Sequence, residues 1–414
     1  MRGLPSEKAA ARSCCGSLKY GPVKLRRTPE DFQVDEIADP AIGAGPFALY
    51  RLTKTSLGTP EAIQAIVQRW GVHRKRISYG GLKDRHAVTS QYLTIHNGPR
   101  KPLQQKSLQV DYLGQTAAPF TSAGILANRF LLTLRDLTPE AAANLQRQHA
   151  AAAENGIPNY FDDQRFGSLG QSGEWIARAW CRGDWERALW LALADPHPND
   201  PGTERRQKQI LRDNWGRWVE CQPLLERSHR RSIITYLADK ERVGKPADYR
   251  GALARIQVDL RGLYLSAWQS ALWNKLLSRF LQTQCADTTP HQIELTCGRV
   301  VLPTSNEPAR VQTWLMQHLP LPSARIDRPE GLIGDLLDQV LAEEGVELRE
   351  IRVKYPRDSF FSKGSRRAWV LPQNASCSEA DDELYPGRRK LRLDFELPRG
   401  SYATMLVKRL TECP

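Results

Sequence analysis

Alternation of apolar and polar residues marks short strands near both ends of the chain. The pattern from Val23 to Ile37 predicts a strand, a turn at residues 28–31 and a second strand. Near the C-terminus, Leu391, Leu393, Phe395 and Leu397 alternate strictly, which is typical of a strand with one buried face. Further strands are predicted at 47–52, 77–80, 92–95, 130–134 and 368–371.

Helical spacing of apolar residues dominates the middle of the chain. In the N-terminal part, Thr59 is predicted to cap a helix that starts at Pro60 and runs to Trp70, and an alanine-rich helix starts at Pro139. Further helices are predicted at 173–193, 224–238 and 263–281, with a loop at 195–202.

This order of elements predicts an α+β fold with a discontinuous catalytic domain. A mixed or antiparallel sheet with flanking helices would be built from residues 21–155 and 366–414. A large, mainly helical insertion would occupy residues 156–365. Residues 1–20 mix basic and small residues without an apolar segment, so we expect a disordered lead rather than a secretory signal.

Charge and cysteine content narrow the class of protein. The formal net charge is +13 and the isoelectric point about 9.4, which favours a polyanionic partner such as RNA; a basic protein with a solvated surface is the alternative. The eight cysteines form no C-x-x-C pair, and no Cys/His cluster has metal-ligand spacing. We therefore expect a cytoplasmic protein without metal, and no apolar run is long enough for a membrane span.

The strongest candidate for an active-site segment is residues 79–91. Two glycines precede Asp84, which is surrounded in sequence by Lys83, Arg85 and His86. Nearby cations stabilise a carboxylate and also bind RNA phosphates, so Asp84 is a candidate nucleophile or general base. A turn aspartate in a surface ion pair is the alternative.

The same segment carries a resemblance to a known family. Gly81-Leu82-Lys83-Asp84-Arg85-His86-Ala87-Val88-Thr89-Ser90-Gln91 resembles the active-site motif of the TruD family of tRNA pseudouridine synthases. Other stretches of the chain resemble further family motifs and occur in the family's order. They are PEDFQV at 29–34, NRF at 128–130, GIPNYF at 156–161 with QRFG at 164–167, and GSYAT at 400–404. The helix segment SALWN at 270–274 is also similar to a helix of the family's insertion.

The resemblance implies a role for each matching residue. Asp84 falls on the family's catalytic aspartate, and Lys83 precedes it as in the family pattern. Phe32, Asn128 and Tyr402 fall on positions that contact the target uridine, and Phe130 on an aromatic that packs at the same site. On sequence alone, core packing of the phenylalanines and a turn or cap role for Asn128 are the alternatives.

The proposed roles agree with the chemistry of a flipped base. Aromatic faces can replace the stacking that a flipped uridine loses, and the amide of Asn128 offers both a donor and an acceptor to uracil. Tyr402 stands where bacterial members commonly have Phe. Arg26 stands where Lys is often found, and either Arg26 or Lys83 could hold Asp84 in place.

The predicted activity is isomerisation of uridine to pseudouridine, with Asp84 attacking C1′, adding to uracil C6 or abstracting a ribose proton. The resemblance implies a monomeric enzyme without a cofactor, acting on tRNA at uridine 13. The same chemistry on another RNA, a non-catalytic RNA-binding protein and a hydrolase with an aspartate nucleophile are the alternatives. Two basic stretches, 354–367 and 388–392, could contact RNA or form solvated segments.

Overall fold

The computed structural model describes residues 23–285, 289–303 and 307–412, so the predicted lead at 1–20 lies outside the described residues. These residues pack as two compact units. One contains the described residues up to Asn159 together with those from Trp369 onward, and the other is Tyr160–Ala368. The first border lies inside the predicted insertion because Ile157–Pro158 pairs with Trp369–Val370 of the first unit. The second lies three residues beyond the predicted 365, because Ser365–Arg367 pairs with His318–Pro320 of the second unit.

The strands are β1 (Lys24–Leu25), β2 (Phe32–Ile37), β3 (Phe47–Thr55), β4 (Ile77–Tyr79), β5 (Val88–His96), β6 (Leu103–Gln105), β7 (Leu108–Thr116), β8 (Ala127–Leu137), β9 (Ile157–Pro158), β10 (His291–Leu295), β11 (Gly298–Leu302), β12 (His318–Pro320), β13 (Ser365–Arg367), β14 (Trp369–Val370), β15 (Gln373–Asp381) and β16 (Arg389–Pro398). The helices are α1 (Thr59–Trp70), α2 (Pro139–Asn155), α3 (Ile176–Arg182), α4 (Trp185–Leu193), α5 (Gly202–Asp213), α6 (Trp218–Leu224), α7 (His229–Arg242), α8 (Tyr249–Ala254), α9 (Val258–Gln284), α10 (Pro308–Met316), α11 (Gly331–Glu344) and α12 (Ala403–Glu412).

Ten of the described strands form one mixed sheet in the first unit. Its order is β15-β16-β8-β2-β5-β3-β7-β6, with β1 paired to β8 and β4 to β5. The pairing of β2 with β5 is parallel, whereas its other pairings are antiparallel. The predicted α+β class with a mixed sheet is confirmed.

One face of this sheet carries the residues that the sequence motifs single out. Phe32 pairs with Leu132 and Glu36 with Asn128 across β2 and β8, so these side chains share a face. Registers across β5 and β3 place Thr89, Gln91 and Lys54 on the same face. Strand pairing therefore brings segments that are distant in sequence onto one surface.

Helix α1 covers part of this face, and it begins one residue earlier than predicted. Its buried Ala62, Ile63 and Ile66 pack against the apolar residues of β3, β5 and β7. Thr59 does not cap the helix, because Gly58 occupies the cap position and Thr59 is the first helical residue. The hydroxyl of Thr59 instead binds the loop that follows β4.

The second unit is mainly helical, as predicted, with two short two-stranded ribbons, β10-β11 and β12-β13. The predicted helix at 173–193 is divided into α3 and α4 because Gly183 adopts a left-handed conformation. The predicted helix at 224–238 begins instead at His229, where Ser228 caps α7. The sequence missed α5, and α9 extends beyond the predicted 263–281 at both ends. Among the described helices, none combines the length and apolarity that a membrane crossing requires.

Candidate active site

The loop 80–87 joins β4 to β5 and carries Asp84. The Thr59 hydroxyl accepts a hydrogen bond from the backbone N–H of Lys83 at 3.0 Å and lies 3.0 Å from Oε1 of Gln91. The Gln91 amide nitrogen donates to the carbonyl of Gly81 at 3.1 Å. Gly80 is required for close approach, because a Cβ there would lie 2.5 Å from a methyl of Ile125. These contacts fix the loop at Gly81 and at Lys83, directly before Asp84.

Lys54 of β3 holds the same loop through its backbone carbonyls. Its side chain is buried, and its Nζ donates to the backbone carbonyl of Asp84 at 2.7 Å and lies 3.4 Å from that of Lys83. Burial lowers the pKa of Lys54 to about 8, although the carboxylates of Asp84 and Glu61 act in the opposite direction. A cation or a neutral amine can both donate to these carbonyls, so Lys54 fixes the loop at either protonation state.

Asp84 forms an ion pair with Arg26. The distance between Nη2 of Arg26 and Oδ2 of Asp84 is 2.9 Å, and the Asp84 side chain is 35% exposed. The Asp84 carboxylate therefore remains accessible to a substrate while it pairs with Arg26. The sequence left Arg26 and Lys83 as alternatives for holding Asp84, and of the two Arg26 is the one that forms an ion pair with it among the described residues.

Arg26 adopts an unusual backbone conformation. Its φ is +64°, in the left-handed region that non-glycine residues rarely occupy. Such strain costs on the order of 1–3 kcal/mol and persists where surrounding contacts fix the backbone. It is common at functional sites, which supports a specific role for the Arg26 side chain.

A buried cluster fixes the segment that carries Arg26. Asp31 accepts hydrogen bonds from the backbone N–H groups of Arg27 and Thr28, both at 2.9 Å. The other oxygen of Asp31 lies 2.8 Å from Nε of Arg135, whose Nη1 lies 2.8 Å from Asp382. Buried ion pairs with well-placed hydrogen bonds are costly to break from one side. The cluster therefore provides the contacts that maintain the strained turn.

The Arg26 guanidinium also stacks on Phe32, with 3.8 Å between its Cζ and the ring centroid. Phe32 is 3% exposed and packs edge-on against Phe130, which stacks on Phe395. In this arrangement Phe32 is a platform for Arg26, and the two predicted aromatic residues lie in one cluster beside the Asp84 ion pair. Direct stacking of a base on Phe32 would require Arg26 to move.

The Lys83 side chain contacts two other polar residues, Glu36 and Asn128. Its Nζ lies 3.1 Å from Oε2 of Glu36 and donates to Oδ1 of Asn128 at 2.5 Å. The Glu36 side chain is fully buried, and its other oxygen accepts from the backbone N–H of Tyr92 at 3.0 Å. Lys83 is therefore a link between Glu36 and Asn128.

Tyr402 lies half-buried immediately before α12. It follows β16, in which Leu397 pairs with Asn128 of β8. Strand pairing thus brings the C-terminal motif to the same end of β8 as Asn128. In the same motif, the hydroxyls of Ser401 and Thr404 are buried without a protein partner among the described residues. Buried polar atoms are normally paired, so unpaired ones mark positions where a ligand or water can bind.

Sequence reasoning missed four residues of this site: Lys54, Glu36, Thr59 and Gln91. The signal for Glu36 was present, because it continues the inward alternation of Phe32 and Val34 and so places a carboxylate on the buried face. Within the described ranges, no group of three or more His, Cys, Asp or Glu side chains is arranged to hold a metal ion.

Comparison with known proteins decides the family. The family model described as tRNA pseudouridine synthase D (TruD) matches residues 19–410. The chain belongs to this family. The predicted resemblance is thereby confirmed, and this TruD-family chain is a tRNA pseudouridine synthase, an enzyme of the isomerase class.

Relatives from bacteria and archaea match this TruD-family chain over nearly its whole length. It is 29% identical over 394 residues to a protein of Leptospira interrogans named tRNA pseudouridine synthase D, covering 93% of this chain and 95% of the relative. It is also 29% identical to a protein of Methanocaldococcus jannaschii named probable tRNA pseudouridine synthase D 2, with coverage of 94% and 91%. The protein in a crystal structure from Methanosarcina mazei, described as a putative tRNA pseudouridine synthase D, is 25% identical to this chain, with a TM-score of 0.68 and coverage of 95% of this chain and 94% of that one.

Proposed function

We propose that this enzyme converts uridine 13 of tRNA to pseudouridine and that Asp84 is its essential carboxylate. The observation that carries the proposal is the ion pair between Asp84 and Arg26 on a loop fixed by Lys54, Thr59 and Gln91. Electrostatic groups held in advance of the reaction stabilise developing charge without reorganisation.

The reaction itself supports the absence of a cofactor. The bond between N1 and C1′ breaks and a bond between C5 and C1′ forms, while a proton leaves C5 and a proton is gained at N1. No net oxidation, reduction or group transfer occurs, so the balance requires no redox or group-transfer partner. The carboxylate of Asp84 and its cationic neighbours can carry the first step.

The charge distribution supports RNA as the substrate. Six cations near the ends of α1 and β5 form what we call the basic patch: Arg69, Arg74, Lys75, Arg76, Arg100 and Lys101. Among the described residues, no carboxylate lies within ion-pair distance of them. Arg76 is instead held by the backbone carbonyl of His96 at 2.7 Å, which fixes its position and leaves its charge uncompensated. Uncompensated cations of this kind bind RNA phosphates.

By contrast, the basic stretch at 388–392 is largely neutralised. Arg389 pairs with Glu379 and Asp381 of the neighbouring strand, Lys390 with Glu383, and Arg388 with Asp136. The sequence left RNA contact and a solvated segment open for this stretch. The ion pairs favour a structural role in the β15-β16 hairpin.

Purified enzyme and transcribed tRNA test the proposal. Pseudouridine mapping after incubation should show modification at uridine 13 and at no other uridine, and a transcript with cytidine at position 13 is the matched control. We further propose that the enzyme acts as a cytoplasmic monomer. We also propose that it needs no metal, so activity should persist after treatment with a chelator. Modification of another position would retain the chemistry and overturn the assignment of the site.

A further inference from the structure

A buried chain of polar side chains connects Glu36 to Asn128 through Lys83. The Glu36 carboxylate is fully buried. Its Oε2 accepts no hydrogen bond from the described residues but lies 3.1 Å from Nζ of Lys83, which supplies the compensating charge. The Lys83 side chain is itself only 11% exposed. Both groups are therefore confined, and their geometry is fixed before any substrate binds.

The ammonium of Lys83 dictates the orientation of the Asn128 amide. An ammonium has three donors and no acceptor, so the amide atom that faces it must be an oxygen. Oδ1 of Asn128 lies 2.5 Å from Nζ of Lys83, in agreement with this requirement. A flipped amide would place two donors against each other, and the nitrogen Nδ2 must therefore point away from Lys83.

The amide nitrogen of Asn128 is left without a protein acceptor. Asn128 is 8% exposed, and among the described residues none accepts a hydrogen bond from its Nδ2. Unlike the buried unpaired hydroxyls of Ser401 and Thr404, Nδ2 keeps contact with solvent, so it is a donor of fixed orientation that an acceptor on a ligand can reach.

We propose that Glu36 and Lys83 are positioning residues that make Asn128 a dedicated hydrogen-bond donor to a carbonyl oxygen of the target uracil. This inference rests on the proposed function and on the expectation that Asn128 contacts the target uridine. It sharpens the expectation from the sequence, in which the amide could donate or accept. Because Oδ1 already accepts from Lys83, the contact with uracil is assigned to the donor Nδ2.

A double-mutant cycle tests whether Glu36 acts through Asn128. The value of kcat/KM for pseudouridine formation would be measured, at RNA concentrations below KM, for wild type, Glu36→Gln, Asn128→Ala and the double variant. Glutamine keeps the shape and can still accept from Tyr92, so it removes mainly the charge that holds Lys83. We expect losses in kcat/KM of roughly 10-fold for Glu36→Gln, roughly 100-fold for Asn128→Ala and no more than roughly 100-fold for the double variant.

Asn128→Asp tests the donor role directly. A carboxylate keeps the interaction with Lys83 but has no hydrogen to donate. Its kcat/KM should fall as far as that of Asn128→Ala. Activity within about threefold of wild type would overturn the proposal, since the acceptor role would then suffice.

Glu344→Gln is the matched control, because Glu344 is a buried glutamate that pairs with Lys275 in the second unit. It should leave kcat/KM unchanged alone and in the Asn128→Ala background. Melting temperatures of all variants identify loss of folding. If Glu36→Gln alone melts well below the control, Glu36→Gln with Lys83→Gln, which removes both charges together, takes its place in the cycle with the same expectation.

The possible failures can be separated. Losses from Glu36→Gln and Asn128→Ala that multiply in the double variant would show that the two residues act independently, and would overturn the inference while leaving the proposed function intact. A wild-type enzyme that forms no pseudouridine in any RNA would instead remove the proposed function, and the inference with it.

Discussion

At the scale of single residues, the site depends on the placement of charge around Asp84. Arg26 approaches the carboxylate from a strained turn, and Lys54 holds the backbone of Asp84. The motif in the sequence was sufficient to identify Asp84 as the candidate, and the resemblance indicated Arg26 and Lys83. The sequence could not show that Lys83 serves Asn128, because that contact depends on the pairing of β2 with β8.

Arg26→Gly separates strain from function. Glycine accepts the positive φ without penalty but removes the guanidinium from Asp84 and Phe32. We expect kcat/KM to fall roughly 100-fold while the melting temperature stays within a few degrees of wild type. Asn97→Gly is the control, since Asn97 is exposed and also has a positive φ, and it should keep full activity. Full activity of Arg26→Gly would contradict the role given to the ion pair.

The lowered pKa of Lys54 predicts a specific pH dependence of stability. The folded protein binds the Lys54 proton less tightly than the unfolded chain, with a pKa of about 8 against an ordinary 10.5. Between these values the unfolded state binds more protons, so the contribution of Lys54 to the free energy of unfolding increases as pH rises. Below about pH 8 this contribution is constant at its least favourable value.

Chemical denaturation of wild type and Lys54→Met at several pH values measures this effect. Wild type should gain stability relative to Lys54→Met from about pH 8 to about pH 10.5. Lys101→Met, at an exposed position, should show no such trend. A constant difference between wild type and Lys54→Met across that window would mean that Lys54 titrates normally.

At the scale of elements, the loop 80–87 shows what sequence patterns can and cannot determine. Alternation and glycine placement predicted β4, the turn and β5, although β5 is longer at both ends than predicted. Thr59 was assigned as a helix cap on its residue type, and this was wrong because its hydroxyl is used by Lys83 and Gln91 instead. The Thr59 hydroxyl can either cap the helix or bind the loop, and the local sequence does not show which, because the loop contacts form only in the folded protein.

Thr59→Val should loosen the loop without unfolding α1. Valine has the same shape but leaves the Lys83 N–H and Gln91 without their hydroxyl partner. We expect hydrogen exchange of peptides from 80–87 to accelerate about 10-fold, with a loss of stability of about 1–2 kcal/mol. Peptides from the interior of α1 serve as the internal reference. Unchanged exchange in the loop would show that Thr59 is not one of its anchors.

At the scale of the whole molecule, the change from strand to helix patterns predicted two structural parts, and the structure contains two compact units. Short pairings move the borders by a few residues, β9 with β14 at the first border and β12 with β13 at the second, and strands of two or three residues leave no periodic signal in a sequence. The net charge of +13 indicated RNA, but the ion pairs of 388–392 show that a basic run in sequence need not be a bare basic surface.

Salt dependence tests the role of the basic patch. The affinity for tRNA should fall steeply with salt, because each phosphate contact releases counterions. The double variant Lys75→Gln with Lys101→Gln should reduce the slope of log affinity against log salt by about 1–2. Lys390→Gln is the matched control, because Lys390 already pairs with Glu383, and it should leave the slope unchanged. Equal slopes for wild type and the double variant would exclude the patch from the RNA interface.

The central claim is that Asp84 performs the chemistry on a tRNA held by other residues. The most direct measurement is pseudouridine mapping on tRNA from cells that lack the gene, after restoring wild type or Asp84→Asn, together with the tRNA affinity of both purified proteins. We expect wild type alone to restore pseudouridine at position 13, while both proteins bind tRNA within about threefold of each other. Restoration by Asp84→Asn at a near-normal level would contradict the account.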